Sequence, residues 1–177
     1  MGEDITAYGI NKEDVFFTFK KLDLLMQMDN YELDICLIGG TACLLTDLIS
    51  RVTIDYDLLN LDYSPNVRNY LNFFNPYDLV DFEATTIPRS YIKRRISVFS
   101  GVCVHCFILS IEDIILSKLY RNFEIDFKDI DILIKKADLT MVHTLIEEVN
   151  DDIHTRYPRL QENFILSLNT FKKRYQL

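Results

Sequence analysis

The run from Leu33 to Ile38 is followed directly by Gly39 and Gly40, and this junction constrains the fold more than any other stretch. A short apolar run of this length predicts a buried strand, and paired glycines predict a tight turn. The spacing of residues Thr41–Ile49 then predicts a short helix. The sequence therefore predicts a strand–turn–helix unit at this point.

A second predicted strand carries Asp55 and Asp57. Residues two apart in a strand point to the same face, so these two carboxylates should lie close together and repel each other. With a third carboxylate from a neighbouring strand, they would suit two divalent cations about 3.5–4 Å apart, the arrangement used for phosphoryl transfer. We expect Asp81 to be the third, because it sits between Val80 and Phe82 in a predicted strand; Glu83, on the same face, is the alternative.

The ligand chemistry favours magnesium. Mg²⁺ prefers oxygen ligands and keeps coordination positions for water and substrate phosphates. Glycines at 39 and 40 let the backbone approach a phosphate closely, Thr41 offers a hydroxyl, and a helix N-terminus attracts anions. Either motif alone is common in unrelated chains. Together, fifteen residues apart across one supersecondary unit, they predict a nucleoside triphosphate (NTP) site.

Periodicity and capping residues predict the other elements. They are a helix capped by Asn11 and extending to Met28, a helix from Pro65 to about Phe74, a strand over Tyr77–Thr85, a hairpin turning at Ser100-Gly101, and helices over "SIEDIILSKLYR", "DFKDIDILIKKA", Thr140–Val149 and Pro158–Tyr175. This order predicts an α/β (α+β) fold, in which helices pack on a mixed sheet and the C-terminal third is helical.

Composition limits the partners. The net charge of −8 and pI near 4.8 argue against broad, sequence-independent binding to nucleic acid. A basic cluster at Arg89, Lys93, Arg94 and Arg95 is available for an acceptor or a triphosphate. No apolar stretch is long enough to span a membrane and the N-terminus lacks a signal-peptide apolar region, so we expect a cytoplasmic protein without membrane contact.

Cys103 and Cys106 have C-x-x-C spacing around His105, which raises the question of zinc. A structural zinc site needs four ligands. In the predicted strand, Cys103 and His105 share one face and Cys106 takes the other. Reduced cysteines without a metal are therefore the favoured interpretation.

The stretches "LIGGTACLL" and "SRVTIDYDLL" resemble the glycine-rich turn and D-x-D signature of the polymerase-β-like nucleotidyltransferase superfamily. The nearest resemblance is to the small bacterial AbiEii-like nucleotidyltransferases of abortive-infection and toxin–antitoxin systems. The most specific part is Arg51-x-Thr53-x-Asp55-x-Asp57, and the similarity extends roughly from Leu33 to Leu133. One departure is "LTDLIS", which stands where superfamily members usually keep a glycine.

This resemblance implies roles for the glycine turn and the D-x-D pair. Gly39, Gly40 and Thr41, with Arg51, would bind the triphosphate. Asp55 and Asp57 would bind two Mg²⁺ ions, with Asp81 completing the set.

The resemblance also extends to two C-terminal motifs. "SIEDIILSKLYR" is similar to a helix with a functional lysine, which makes Lys118 a catalytic and phosphate-binding candidate; the alternative is that Lys118 borders an apolar face and snorkels. "DFKDIDIL" is similar to a final acidic motif. Asp126 and Asp129 fit one spacing, Asp129 and Asp131 fit another, and Asp129 is common to both.

The resemblance thus implies a nucleotidyltransferase fold with its core in residues 1–137 and a helical extension of the same compact unit in residues 138–177. The implied activity is magnesium-dependent transfer of a nucleoside monophosphate from an NTP to tRNA, a protein or a small molecule. A cognate toxin or antitoxin is a possible partner. The alternative is a non-catalytic interaction module that keeps the same fold.

Overall fold

The computed structural model describes residues 9–50, 52–121 and 123–176. The strands are β1 Leu33–Ile38, β2 Tyr56–Leu59, β3 Tyr77–Val80, β4 Ile96–Ser100 and β5 Val104–Ile108. The helices are α1 Lys12–Asp29, α2 Gly39–Leu45, α3 Pro65–Arg68, α4 Ile111–Lys118, α5 Glu124–Leu133, α6 Leu139–Asp152 and α7 Pro158–Tyr175. Short 3₁₀ helices cover Asn69–Phe74, Phe82–Ala84, Arg89–Lys93 and Ile153–Thr155.

Local capping explains where two of the helices begin. The Asn11 side chain accepts a hydrogen bond from the Asp14 amide at 3.0 Å, and the Asp14 carboxylate accepts one from the Asn11 amide at 3.1 Å. This reciprocal capping box satisfies donors that a helix N-terminus leaves unpaired. Ser110 likewise accepts from the Asp113 amide at 3.2 Å and starts α4. Both predicted starts are confirmed.

The five strands form one mixed sheet in the order β3-β2-β1-β5-β4. The central strand β1 is antiparallel to β2 and parallel to β5, while β2 and β3 are parallel. Five of the six residues of β1 are buried, as expected for a strand with a neighbour on each side. The predicted α/β class is confirmed.

Several predicted local structures differ in the structure. The two glycines form the first turn of α2 instead of a separate turn, and α2 ends at Leu45. The predicted helix from Pro65 is α-helical only to Arg68 and then narrows to a 3₁₀ helix. The prediction that Asp81 lies within a strand is wrong, because β3 ends at Val80.

The end of β3 has a clear backbone cause. The Asp81 carbonyl accepts from the Ala84 amide at 2.9 Å, and the Phe82 carbonyl accepts from the Thr85 amide at 3.0 Å. These bonds close a short 3₁₀ turn that takes the chain out of the sheet.

One continuous apolar core links the sheet to the helices and reaches from Val15 on α1 to Phe171 on α7. Helix α1 packs on β5, α2 packs on β1 and β2, and α4 contacts α2, α5 and α6. No helix in the described part of the chain has the length and apolar character needed to cross a membrane. The division at residue 137 stays a prediction.

Candidate active site

Sheet register brings the glycine turn and two aspartates into one row. In the antiparallel pair, Ile38 at the end of β1 lies opposite Asp57. In the parallel pair, Asp57 lies opposite Asp78. Residues in register on neighbouring strands share a face of the sheet, so Asp57 and Asp78 are neighbours beside Gly39.

Both glycines are required by close contacts. Gly39 has φ +55°, a left-handed conformation, and a Cβ placed there would lie 1.8 Å from Asp57 Oδ2. A Cβ on Gly40 would lie 2.6 Å from the Thr53 hydroxyl. The Gly40 amide donates a hydrogen bond to Asp57 Oδ2 at 3.3 Å. The start of α2 is therefore pressed against the Asp57 carboxylate, an approach that side chains at these positions would block.

The prediction that Asp55 lies in the same strand as Asp57 is wrong, because Asp55 lies in a bend just before β2. Two buried hydroxyls hold this segment. The Thr41 hydroxyl donates to the Asp55 carbonyl at 3.1 Å, and the Thr53 hydroxyl donates to the same oxygen at 3.2 Å. Thr41 is fully buried. Thr53 is also joined to Ile10 by two backbone hydrogen bonds of 2.6 and 3.2 Å. The structure thus directs the Thr41 hydroxyl to the Asp55 backbone.

The electrostatics of Asp57 reflect this crowding. Burial raises its pKa above the ordinary value, and the negative charges of Asp55 and Asp78 raise it further. The Gly40 amide and the Arg121 guanidinium oppose that rise without cancelling it. Asp57 is therefore a carboxylate whose charge is incompletely compensated by the protein.

The donor set fits a magnesium ion in its chemistry. Carboxylate oxygens at 55, 57 and 78 are ligands that Mg²⁺ prefers, and a cation would offset the charge that raises the Asp57 pKa. Among residues 9–50, 52–121 and 123–176, no three His, Cys, Asp or Glu side chains are arranged to hold a metal ion as they stand. An ion here would therefore also need water and substrate oxygens, as Mg²⁺ sites commonly do.

Lys118 lies in a buried ionic cluster near Asp57. Its ammonium donates to Asp126 Oδ1 at 3.2 Å and to Asp129 Oδ2 at 2.8 Å, and its side chain is 1% exposed. Burial lowers the Lys118 pKa, but Cys43 and the two aspartates outweigh burial, and the pKa is raised. Lys118 is therefore a paired, charged lysine in the interior.

Sequence reasoning missed Arg121. Its Nη2 donates to Asp126 Oδ1 at 2.7 Å. Together with Gly39, Asp57, Lys118 and others, it lines a small cleft of about 40 Å³, which we call the Asp57 cleft. The available signal was its position three residues after Lys118, a spacing that places side chains on one side of a helical turn.

The acidic motif divides into two parts. Asp126 and Asp129, which fit one of the two predicted spacings, both bind Lys118. Asp131 instead binds Arg174 and accepts from the Tyr175 hydroxyl at 2.7 Å, so it joins α5 to the end of α7. Arg51 lies outside the described residues.

Asp81 and Glu83 are not brought to Asp55 and Asp57. Asp81 lies three residues beyond Asp78, roughly 10 Å along the strand direction. Its Oδ1 accepts from the Asn60 side chain at 2.8 Å. Both acids line a wider groove of about 410 Å³ at the other end of β2 and β3.

Three arginines of the basic cluster have acidic partners within the protein. Arg94 binds Asp113 through two nitrogens at 2.7 and 3.1 Å, Arg89 binds Asp152 at 2.6 Å, and Arg95 binds Asp34 at 3.4 Å. These pairs connect elements of the fold. None of the four cysteines, all of which lie in the described part of the chain, forms a disulfide, and Cys103 is the most accessible of them.

Comparison with known proteins gives one family. A family model described as a nucleotidyltransferase of unknown function (DUF6036) matches residues 13–176. No curated protein and no solved structure matches the chain significantly. The matched range includes Gly39, Asp57 and Asp78, together with the Lys118 cluster.

Proposed function

The chain belongs to this nucleotidyltransferase family, and we propose that it transfers a nucleoside monophosphate from an NTP to an acceptor in a magnesium-dependent reaction that releases pyrophosphate. The family description supports nucleotidyl transfer, and the chemistry of the site supports the finer statement.

One observation carries the proposal. The Asp57 carboxylate is held against the Gly39 backbone, next to Asp55 and in register with Asp78, and its pKa is raised by burial and by its acidic neighbours. Concentrating like charges costs stability unless a ligand compensates them. A protein that needed only a strand at this point would be more stable with a neutral residue.

Each residue of the site has a separate role in the proposed reaction. Asp55, Asp57 and Asp78 would hold Mg²⁺, with Asp78 in the role that the sequence predicts for Asp81. When bound, the ions activate the attacking hydroxyl and neutralise charge on the leaving pyrophosphate. Gly39 and Gly40 keep the backbone clear for the phosphates, and Thr41 fixes the segment that carries Asp55. Because a cleft of about 40 Å³ is far smaller than a nucleotide site, the NTP would lie across its mouth.

The proposal also names the class of molecule that accepts the nucleotide. The net charge of −8 disfavours a large RNA acceptor such as tRNA and favours a protein or a small molecule. The resemblance to AbiEii-like enzymes supports a role beside a cognate toxin or antitoxin. A partner protein encoded next to this chain is therefore the first acceptor to test.

The experiment combines the protein with each labelled NTP, Mg²⁺ and an extract of its natural host. We expect label to move to an acceptor, and we expect Asp57→Asn to reduce that transfer by a factor on the order of one hundred or more, since charge stabilisation at the reacting phosphate is lost. The matched control is Asp47→Asn, which alters an exposed aspartate paired with Lys12.

Two outcomes would contradict the proposal. Absence of transfer to protein, RNA and small molecules in every extract would favour a non-catalytic interaction module. Equal transfer by the parent and Asp57→Asn would show that the reaction takes place elsewhere on the protein.

A further inference from the structure

The Asp57 cleft contains two cations in contrasting surroundings. The Lys118 side chain is 1% exposed, and its ammonium is bonded to both Asp126 and Asp129. The Arg121 side chain is 35% exposed and is bonded to Asp126. One cation is therefore enclosed between carboxylates, while the other reaches solvent.

We propose that Arg121 is the phosphate-binding cation of this site, and that Lys118 is a positioning residue that holds Arg121 in place through Asp126 without contacting the nucleotide. This inference rests on the proposed function and makes its phosphate site specific. It reverses the role that the sequence resemblance implies for Lys118.

The donors of Arg121 suit this role. A guanidinium has five N–H donors in a planar fork. Within the described part of the chain, the Arg121 guanidinium donates a hydrogen bond to Asp126 alone. The remaining donors can bind two oxygens of one phosphate, the geometry for which arginine is commonly used. Arg121 also interacts with the Asp57 charge, since it opposes the rise in the Asp57 pKa that burial and Asp55 cause.

The surroundings of Lys118 do not suit phosphate contact. Its ammonium has three donors, and two of them already bind Asp126 and Asp129. A phosphate that approached it would also meet two carboxylates, which repel an anion at short range. Its contacts with α5 instead stabilise the position of Asp126.

The link between the two cations is a single oxygen. Asp126 Oδ1 accepts from both Lys118 Nζ and Arg121 Nη2, while Asp126 Oδ2 is buried without a hydrogen-bond partner among the described residues. Lys118 therefore orients the carboxylate that holds Arg121. Any effect of Lys118 on nucleotide binding should pass through Arg121.

The first test measures affinity for magnesium tripolyphosphate and for each magnesium NTP by calorimetry. We expect Arg121→Ala to weaken both by about ten- to a hundredfold, the value of a hydrogen bond to a charged group. The matched control is Arg174→Ala. Arg174 is also bonded to an aspartate of α5 and its side chain is 37% exposed, so this variant should bind like the parent. Unchanged affinity in Arg121→Ala would overturn the inference.

The second test separates positioning from contact. If Lys118 acts through Arg121, Lys118→Gln should weaken tripolyphosphate binding in the parent but cause no further loss when Arg121→Ala is already present. Losses that multiply in the double variant would mean that Lys118 contacts the phosphate directly.

Asp129→Asn gives an independent answer if Lys118→Gln does not fold. It removes a negative charge beside Lys118 and leaves the bonds of Asp126 to Lys118 and Arg121 in place. The positioning role predicts tripolyphosphate affinity close to that of the parent, and clearly tighter binding would mean that Lys118 contacts the phosphate directly.

These results distinguish the inference from the proposed function. If the parent transfers no label but binds tripolyphosphate in a way that depends on Arg121, the proposed transferase activity would be wrong and the inferred phosphate site would stand. If the parent transfers label and Arg121→Ala binds with unchanged affinity, the inference about Arg121 would be wrong and the proposed function would stand. A parent that binds neither tripolyphosphate nor any NTP would overturn both.

Discussion

Two aspartates in this molecule lie against a glycine backbone, with opposite electrostatic results. A Cβ on Gly101 would lie 2.3 Å from Asp23 Oδ1, and a Cβ on Gly39 would lie 1.8 Å from Asp57 Oδ2. The two contacts therefore look alike when only the packing is considered.

The partners of each carboxylate make the difference. Asp23 accepts from the Cys103 amide at 2.8 Å, from the Val104 amide at 2.9 Å and from Gln27 at 2.8 Å. Burial raises the Asp23 pKa, but these donors outweigh it and the pKa is lowered. Asp23 thus fastens α1 to the β4–β5 hairpin.

Asp57 has the opposite balance. Burial and Asp55 raise its pKa. The hydrogen bond from the Gly40 amide, at 3.3 Å, lowers the pKa by less than these effects raise it. The comparison teaches that a Gly–Asp contact is structural where the protein supplies the donors. Where donors are lacking, the contact suits a ligand that brings its own positive charge.

The largest expected effect is stabilisation by ligand at only one of these aspartates. Magnesium NTP at about one hundred times its Kd should raise the free energy of unfolding by about 2.7 kcal/mol, because it binds only the folded state. Asp57→Asn should lose most of this rise, while Asp23→Asn should keep it. Thermal unfolding with and without ligand measures both, and an equal rise in the two variants would break the comparison.

Replacing Gly39 should cost more stability than replacing Gly101. Gly39→Ala should cost about 2 kcal/mol, since alanine disfavours a positive φ and its Cβ would meet the Asp57 carboxylate. Gly101→Ala meets Asp23 without the unfavourable φ, and about 1 kcal/mol is expected. Urea unfolding measures both. The double variant Gly39→Ala, Asp57→Ala should recover part of the first cost, and a strictly additive result would show that the contact carries no strain.

The third prediction concerns Asp23 alone. Asp23→Asn should lower the free energy of unfolding at neutral pH by about 1–2 kcal/mol, because hydrogen bonds to a charged acceptor are lost. Since the folded pKa is lowered, this stabilisation is present above the ordinary aspartate pKa and disappears as the pH falls through the folded value. Urea unfolding of parent and variant at several pH values tests it, and a loss that does not shrink in acid would contradict it.

The smallest expected effect is a gain in stability when Asp57 is neutralised, whereas neutralising Asp23 should cost stability. Without ligand, Asp57→Asn should raise the free energy of unfolding at neutral pH by less than about 1 kcal/mol, because it removes an incompletely compensated charge. The folded pKa of Asp57 is raised, so the parent loses stability as the pH rises from the ordinary aspartate pKa of about 3.9 through that raised value. The advantage of the variant should therefore shrink in acid, and destabilisation at neutral pH would make Asp57 a second structural aspartate.

Local signals sufficed for the parts of the site that are close in sequence. The glycines follow β1 directly, Asp55 immediately precedes β2 and Asp57 is the second residue of β2, so closeness in sequence was enough to place them together. The third carboxylate depends on pairing between strands. Only the register of β2 with β3 puts Asp78, and not Asp81, opposite Asp57, and a hydrophobic pattern does not contain that register.

The sequence allows two interpretations of Lys118, namely contact with phosphate and a side chain that snorkels. Neither describes its enclosure between Asp126 and Asp129, because that environment arises when α5 packs on α4. The same packing gives Arg121 its position. Packing between neighbouring helices determines the surroundings of each charged residue at the cleft, and spacing along one helix does not.

The central position of β1 also affects the order in which this protein can mature on the ribosome. Leu33 pairs with Val104, so one edge of β1 has no partner until the chain has been synthesised as far as β5. An unpaired, apolar strand edge is prone to pair with other chains. The strands that carry Asp57 and Asp78 therefore stand on a sheet that is completed late, and a nascent chain released before β5 would be exposed to aggregation before it could organise the site.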